Sequence, residues 1–380
     1  MHLELTMKQA VIRRTVRKFA EERLAPRAVQ IDASGEFPLE LAREMAGLDY
    51  FGLEIPPEFG GAGLDSVSYT LIIEEISRAS AAMGVCVSVH NSVGAYPIYQ
   101  FGTEAQRRSF LVPLARGEHI GTFCLTEPNA GSDVSSLETT AIRDGDSYIL
   151  NGNKIFVTNG GVSETNLVFA VSNPSEPRKR FSVFIVESSR PGLEKGPIED
   201  LLGMRGNAVC SISFHDCRIP VENRLGEEGQ GLKMALSTLD GGRLGIAAQA
   251  IGLAEACLEN SLKYAGERYQ FGAPLTSFGT IQGFLADMAT RIDAARLLLH
   301  RACRLRDQKQ NYSSQSAMAK LFSSELAVDC ARVGVQIHGG YGCTKPYAVE
   351  RFYRDAKICE IYEGASEVQR MVIARHLLNA

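Results

Sequence analysis

The 380-residue sequence predicts an α+β protein in which a helical zone, a β zone and a second helical zone follow one another. Three observations carry this reading. Before about residue 114, apolar residues recur at spacings of three and four. Between about 121 and 223, short β-branched runs are separated by Asn, Gly, Ser and Pro. From about Gly229 the helical spacing returns and persists. Strands and helices do not alternate, so a βαβ dinucleotide domain is excluded despite 36 glycines. At about 100–200 residues per domain the chain has room for two or three. We set them at residues 1–118, 119–225 and 226–380.

In the first zone Phe37, Leu41, Met45 and Leu48 fall on one helical face. Ile55–Gly63, with two prolines and three glycines, is a loop. A second helix is expected from Tyr69 to about Ala81. In the β zone, Asn151-Gly152 between Tyr148–Leu150 and Lys154–Val157 predicts a hairpin turn. Leu167–Val171, Phe181–Val186 and Cys210–Phe214 are further strands, the last closed by Pro220. Such short strands suit a small β-barrel or sandwich. In the third zone Phe284, Met288, Ile292, Ala295, Leu299 and Cys303 make one apolar stripe. Helices near Met234–Tyr264, Thr280–Asp307 and Ser314–Gly334 would pack as a bundle, with a last helix over Val368–Leu378.

Composition removes several function classes. Forty basic residues against 44 acidic leave a net charge of -4, which argues against non-specific nucleic-acid binding. No apolar run is long enough to span a membrane, and charges occupy the N-terminal stretch that a signal peptide keeps apolar. A soluble, cytoplasmic protein is expected. The nine cysteines form no CxxC pair and read as buried, reduced thiols. The seven histidines are scattered, so no metal site is expected.

Several polar segments interrupt the scaffold. Leu125–Asp133 could present hydroxyls and backbone N–H groups to a polar ring or phosphate. Phe156–Gly161 puts an aromatic and a hydroxyl beside a tight turn. Arg268–Gly272 and Gln336–Gly342 each end a helix with groups suited to a phosphate or a planar ring. Taken singly, each also reads as an ordinary turn or cap. In Ile361–Glu367, Ser366 is a candidate N-cap. Glu363 lies at a helix break between an aromatic and a glycine, where desolvation would raise its pKa as a general base requires. An exposed loop glutamate is the equally open alternative. No GxGxxG, P-loop or GxSxG motif offers a rival chemistry.

Together with Arg354–Lys357, these segments occur in the order and combination that resembles the acyl-CoA dehydrogenase family. Leu239–Ala247 and Tyr269–Leu275 resemble its short-chain, butyryl-CoA-like branch. The resemblance implies an N-terminal helical domain, a middle β domain and a C-terminal four-helix bundle. It also implies FAD as cofactor, a homotetramer built as a dimer of dimers, and electron-transfer flavoprotein as acceptor. By the same resemblance Glu363 is the catalytic base. Thr126, Phe156 and Thr158 meet the flavin ring, and Ser366 joins the cofactor-binding set. Arg268, Phe271, Gln336 and Gly340 hold the cofactor's other half from a partner subunit. Ser132, Asp240, Arg243 and Gly364 line the acyl-CoA path, and Val85–Ser92, with Asn91, lines the acyl pocket. The polarity of Ser88, His90 and Asn91 admits a cyclic, branched or dicarboxylic acyl group beside the linear one. A non-catalytic acyl-CoA-binding relative is the reading from another class. Two departures stand out. Phe156 occupies a position where the family commonly has tryptophan, and Ala365 one where it commonly has threonine.

Overall fold

The computed structural model describes residues 4–176 and 180–378. Among the helices that frame the first zone are α1 (Met7–Phe19), α2 (Leu39–Ala46), α3 (Ser66–Ala79) and α4 (Ala81–Val89). Helix α1 opens on a capping box between Thr6 and Gln9. The stripe of α2 holds for Leu41 and Met45, but the chain leaves the helix at Gly47 and Leu48 turns outward, 47% exposed. The helix expected over Tyr69–Ala81 starts earlier and stops at Ala79. Ser80, extended at φ −149°, caps α4 through its hydroxyl. Helix α3 is buried almost all round, which forces its two acids into ion pairs. Glu74 meets Arg296 at 2.8 Å and Glu75 meets Arg13 at 2.7 Å.

The middle zone is one eight-stranded sheet. Its strands are β1 (Gly121–Cys124), β2 (Thr140–Asp144), β3 (Ser147–Val157), β4 (Thr165–Val171), β5 (Phe181–Glu187), β6 (Leu193–Ile198), β7 (Cys210–Pro220) and β8 (Arg224–Leu225). The order is β6-β7-β3-β2-β4-β5-β8, with β1 parallel to β4. The sheet rolls over a core of its own. The Tyr148 ring on β3 meets Phe184 on β5 at 4.9 Å, and the Tyr148 hydroxyl accepts from Arg224 at 2.9 Å. The opposite faces of β4 and β5, through Leu167, Phe169 and Ile185, pack on Ile98, Leu111 and Leu114 of the first zone.

The hairpin expected at Asn151-Gly152 is not there. Strand β3 runs straight through, and the turn is Gly145-Asp146, between paired Asp144 and Ser147. Gly145 supplies the left-handed φ of +60° that the turn demands. Asn151 and Gly152 instead form a bulge against β7, where the register shifts between Leu150 and Gly152. The Asn151 carboxamide accepts from the Asp216 N–H at 2.8 Å. At Gly152 a Cβ would lie 2.6–2.8 Å from Thr139, so no larger residue fits.

The third zone contains α5 (Gly231–Glu267), α6 (Gly279–Asp307), α7 (Ser313–His338), α8 (Val349–Cys359) and α9 (Ser366–Leu378). Five residues of the α6 stripe are buried and Phe284 is half-buried. Helix α5 is the central member, and four of its glycines, Gly231, Gly242, Gly245 and Gly252, mark close approaches. A Cβ at Gly252 would sit 2.3 Å from the Glu74 carbonyl oxygen of α3. Eight of the nine cysteines are buried, and all are free thiols.

Candidate active site

The break between α8 and α9 carries the acid that the sequence singles out. Glu363 adopts a left-handed backbone at φ 53°, followed by Gly364 at φ 90°. For a glutamate that conformation costs of order 1–3 kcal/mol and persists only where surroundings hold it. The Gln369 side-chain N–H₂ donates to the carbonyls of Glu363 at 3.2 Å and Gly364 at 2.7 Å. The buried Lys320 ammonium donates to the Gly364 carbonyl at 2.8 Å.

From this turn the Glu363 side chain crosses to α5. It occupies the space a side chain at Gly242 would need, for a Cβ there would fall 1.9 Å from Oε2. That oxygen is buried and has no hydrogen-bond partner in the protein. Burial pushes the carboxyl up to about 7, against the opposing pull of Arg243 and Lys320. On either side of Gly242, Asp240 and Arg243 pair at 2.6 Å, and Ser313 donates to the same Asp240 oxygen at 2.9 Å. Burial raises the Asp240 pKa more than Arg243 and Ser313 lower it. Arg243 is buried and its Nε has no partner.

A second group of predicted residues sits where β1 and β3 end. The Thr126 carbonyl accepts from the Ile155 N–H at 3.0 Å, which ties the Leu125–Asp133 loop to β3. At the end of β3, Phe156 takes a left-handed φ of 52° and is 61% exposed. Thr158 follows, half-buried, its carbonyl accepting from the Thr122 hydroxyl at 2.5 Å. Ser132 is exposed further along the loop.

The loop is anchored from below by a buried pair, Lys154 and Glu127, at 2.6 Å. Lys154 also donates to the Leu125 carbonyl at 3.1 Å, and Glu127 accepts the N–H groups of Glu138 and Thr139. Burial alone would raise the Glu127 pKa, but Lys154 and these donors hold it below the ordinary value. Lys154→Met leaves that carboxylate buried without its cation. It should lower stability by about 3–5 kcal/mol in urea unfolding.

A third group forms a cleft of about 510 Å³ between the end of α5 and the end of α7, lined by Arg268, Gln270, Gly340 and Tyr341. The Arg268 guanidinium lies over the Tyr341 ring at 5.6 Å. Phe271 projects from the adjoining two-residue turn at φ 51° and is 96% exposed. Gln336, in the last turn of α7, is also exposed. Arg243 and Arg268 are 25 residues apart along α5 and its end, which is about 37 Å at 1.5 Å per residue. The third group is therefore remote from Glu363 within one chain.

Two predicted roles do not survive the geometry. Asn91 is not available to a substrate. Its Nδ2 donates to the carbonyls of Tyr50 and Val87, and its Oδ1 accepts from the Leu53 N–H. His90 is equally committed, to the Phe51 and Leu114 carbonyls and the Gly121 N–H. Their polarity serves to tie the first zone together, since buried backbone groups need partners. Ser366 is not an N-cap: it is the first residue of α9, and its buried hydroxyl has no partner.

Lys320, Gln369 and Gly242 were not singled out from sequence. A lysine on the apolar face of α7, and a glycine pair in the middle of a long helix, were the available signals.

Comparison with known proteins agrees with this arrangement over nearly the whole chain. Family models described as acyl-CoA dehydrogenase N-terminal, middle and C-terminal domains match residues 6–118, 122–217 and 229–378. The chain is 46% identical over 378 residues to the rat mitochondrial short-chain specific acyl-CoA dehydrogenase, covering 100% of this chain and 92% of that one. Butyryl-CoA dehydrogenase from Megasphaera elsdenii superposes with a TM-score of 0.98 at 42% identity, covering both chains completely. A chain from a structural study of the electron-transferring flavoprotein of Acidaminococcus fermentans superposes at 0.99 with 45% identity, again over both full lengths. With three consecutive domains matched around one buried, partnerless carboxylate, this chain belongs to the acyl-CoA dehydrogenase family.

Proposed function

We propose that the protein oxidises a short linear acyl-CoA thioester to its trans-2-enoyl-CoA, passing the electrons to an electron-transfer flavoprotein. The observation that carries this reading is the Glu363 carboxyl. It is tuned to about 7, projected from a strained turn and left without any protein partner. At neutral pH such a group is poised to accept a proton. Short chain length follows the identity to the short-chain specific relative. With His90 and Asn91 committed to backbone, nothing polar among them favours a dicarboxylic or cyclic tail.

The enzymes of this family are FAD-dependent, and the residues present fit that cofactor. The Ser366 hydroxyl is buried with no partner, Phe156 stands exposed at the end of β3, and an added Cβ at Gly339 or Gly340 would meet no atom within 4 Å. Thr126, Phe156, Thr158 and Ser366 would hold the flavin end. Arg268, Phe271, Gln336 and Gly340 would hold the phosphate and adenosine end of a neighbouring copy's cofactor, in keeping with their distance from Glu363. FAD, when bound, supplies the acceptor for the hydride that leaves the β carbon.

The chain's own residues do the rest. Glu363 removes the α proton. Its backbone N–H, turned by the left-handed conformation, donates to the thioester oxygen as negative charge develops there. Asp240, Arg243, Gly364 and Ser132 border the path of the CoA chain. The exchange of subunit residues implies a homo-oligomer, which we take to be a tetramer. The exposed apolar side chains of Ile361, Met371, Leu377 and Leu378 provide surface for it. No helix among the described residues is long and apolar enough to cross a membrane. The free thiols suit a reducing compartment, and we place the protein in the cytoplasm.

The test is anaerobic mixing of the FAD-loaded enzyme with butyryl-, octanoyl-, isobutyryl- and glutaryl-CoA while the oxidised flavin band is followed. Butyryl-CoA should bleach it fastest. An FAD-loaded protein that no thioester bleaches would remove the dehydrogenase reading.

A further inference from the structure

We propose that Lys320 and Gln369 are positioning residues for this reaction: they clamp the two carbonyls of the Glu363–Gly364 turn and so aim the carboxylate and the Glu363 N–H. The inference rests on the function proposed above. Both residues of the turn have positive φ, at 53° and 90°, and a glutamate does not hold such a backbone unaided. The clamp comes from two elements. Lys320 reaches from the middle of α7 and donates to the Gly364 carbonyl at 2.8 Å. Gln369, in the first turn of α9, donates to the same carbonyl at 2.7 Å and to the Glu363 carbonyl at 3.2 Å.

Both side chains are 0% exposed. A buried ammonium is costly, and an apolar residue would fill the α7 face with less penalty. The lysine therefore has work beyond packing. Glycine at 364 belongs to the same device, since a Cβ there would fall 2.6 Å from the Gln369 amide nitrogen and push it off the carbonyls. With both carbonyls pinned, the peptide planes on either side of Gly364 are fixed. The direction of the Glu363 side chain toward Gly242 follows from them.

Lys320 has a second effect, through charge. The groups facing it are Cys359, Glu363, Arg243 and Glu360, and those facing Glu363 are Arg243 and Lys320. Burial brings Lys320 down to about 8, yet near neutral pH it is mostly cationic and pulls the Glu363 pKa downward. The lysine thus opposes the desolvation of the base while holding the turn that carries it.

Lys320→Met and Gln369→Met, purified with FAD, separate these effects. Flavin content and melting temperature are checked first; kcat and KM for butyryl-CoA are then measured from pH 6 to 9. Both variants should lose about tenfold or more in kcat with KM within about threefold. Lys320→Met should also shift the acid limb of the kcat profile to higher pH, because a cation beside the base is gone. Gln369→Met should leave that limb in place, and Lys320→Arg should return it toward the wild-type position.

FAD-loaded variants with wild-type kcat and an unmoved acid limb overturn the proposal, even if their melting temperatures fall. Should Lys320→Met not fold, the kcat of Gln369→Met decides. A wild-type enzyme that thioesters do not bleach overturns the functional reading and the clamp together. A bleaching wild type with equally fast variants overturns the clamp alone.

Discussion

Glu363→Gln is expected to slow thioester-dependent flavin bleaching by ~10⁴-fold while leaving the fold and the bound FAD in place. The amide matches the carboxylate in shape, keeps the backbone of the turn and removes only the capacity to take a proton. Three other acids on α3 and α5 are not free to stand in. Glu74 and Glu75 are tied to arginines on α6 and α1, and Asp240 is paired with Arg243. Retention of activity within tenfold would place the base elsewhere. The same variant carries a signature in stability. The Glu363 carboxyl titrates near 7 in the folded chain against an ordinary 4.5, so between those values the folded state holds more protons than the unfolded one. Its ionisation therefore destabilises the fold as pH rises from about 4.5 to 7, and the penalty remains above. Gln has no such penalty. The variant's melting temperature should gain on the wild type between pH 5 and pH 8, and equal shifts at both values would contradict the buried-carboxylate account.

Much of the architecture was legible because hydrophobic period reports burial directly. The α6 stripe and the β4 and β5 runs came through because each is packed along its length. Asn151-Gly152 misled because a dipeptide reports only a local preference. The partner strand decided, by giving the Asn151 carboxamide the Asp216 N–H and leaving no room for a Cβ at 152. Residues 88–92 misled in a related way. Polar side chains in an apolar helix suggested a substrate, and two of them turned out to serve the backbone of a neighbouring loop and strand. Glu363 was legible as a carboxyl at a helix break between an aromatic and a glycine. Its supports were not, since Lys320 lies 43 residues upstream and meets it only when α7 packs beside the turn. Local sequence pointed to the proposed base; the groups proposed to aim it depend on long-range packing.

Gly242→Ala should show that the aim of the carboxylate, and not merely its presence, sets the rate. An added methyl at 242 would stand 1.9 Å from Glu363 Oε2, 2.6 Å from its Cδ and 2.8 Å from Oε1. Nothing else lies nearer to that methyl, so the side chain that gives way is the proposed base itself. Its terminal carboxyl is flexible enough to swing aside without disturbing α5. Alanine is better than glycine inside a helix by up to about 1 kcal/mol, which offsets part of any strain. Melting temperature should therefore hold or rise while kcat falls by ~10²-fold, the scale expected when a reacting group is displaced by about an ångström. Gly245→Ala is the internal contrast, one turn on. There the methyl would meet the Ser88 hydroxyl at 2.1 Å and the Tyr69 hydroxyl at 2.5 Å, both buried and bonded to one another. Strain at that position falls on the packing of α3 and α4 against α5, so stability should drop. If Gly242→Ala instead kept wild-type turnover, the carboxylate would have to leave α5 before reacting, and its resting place there would be storage rather than aim.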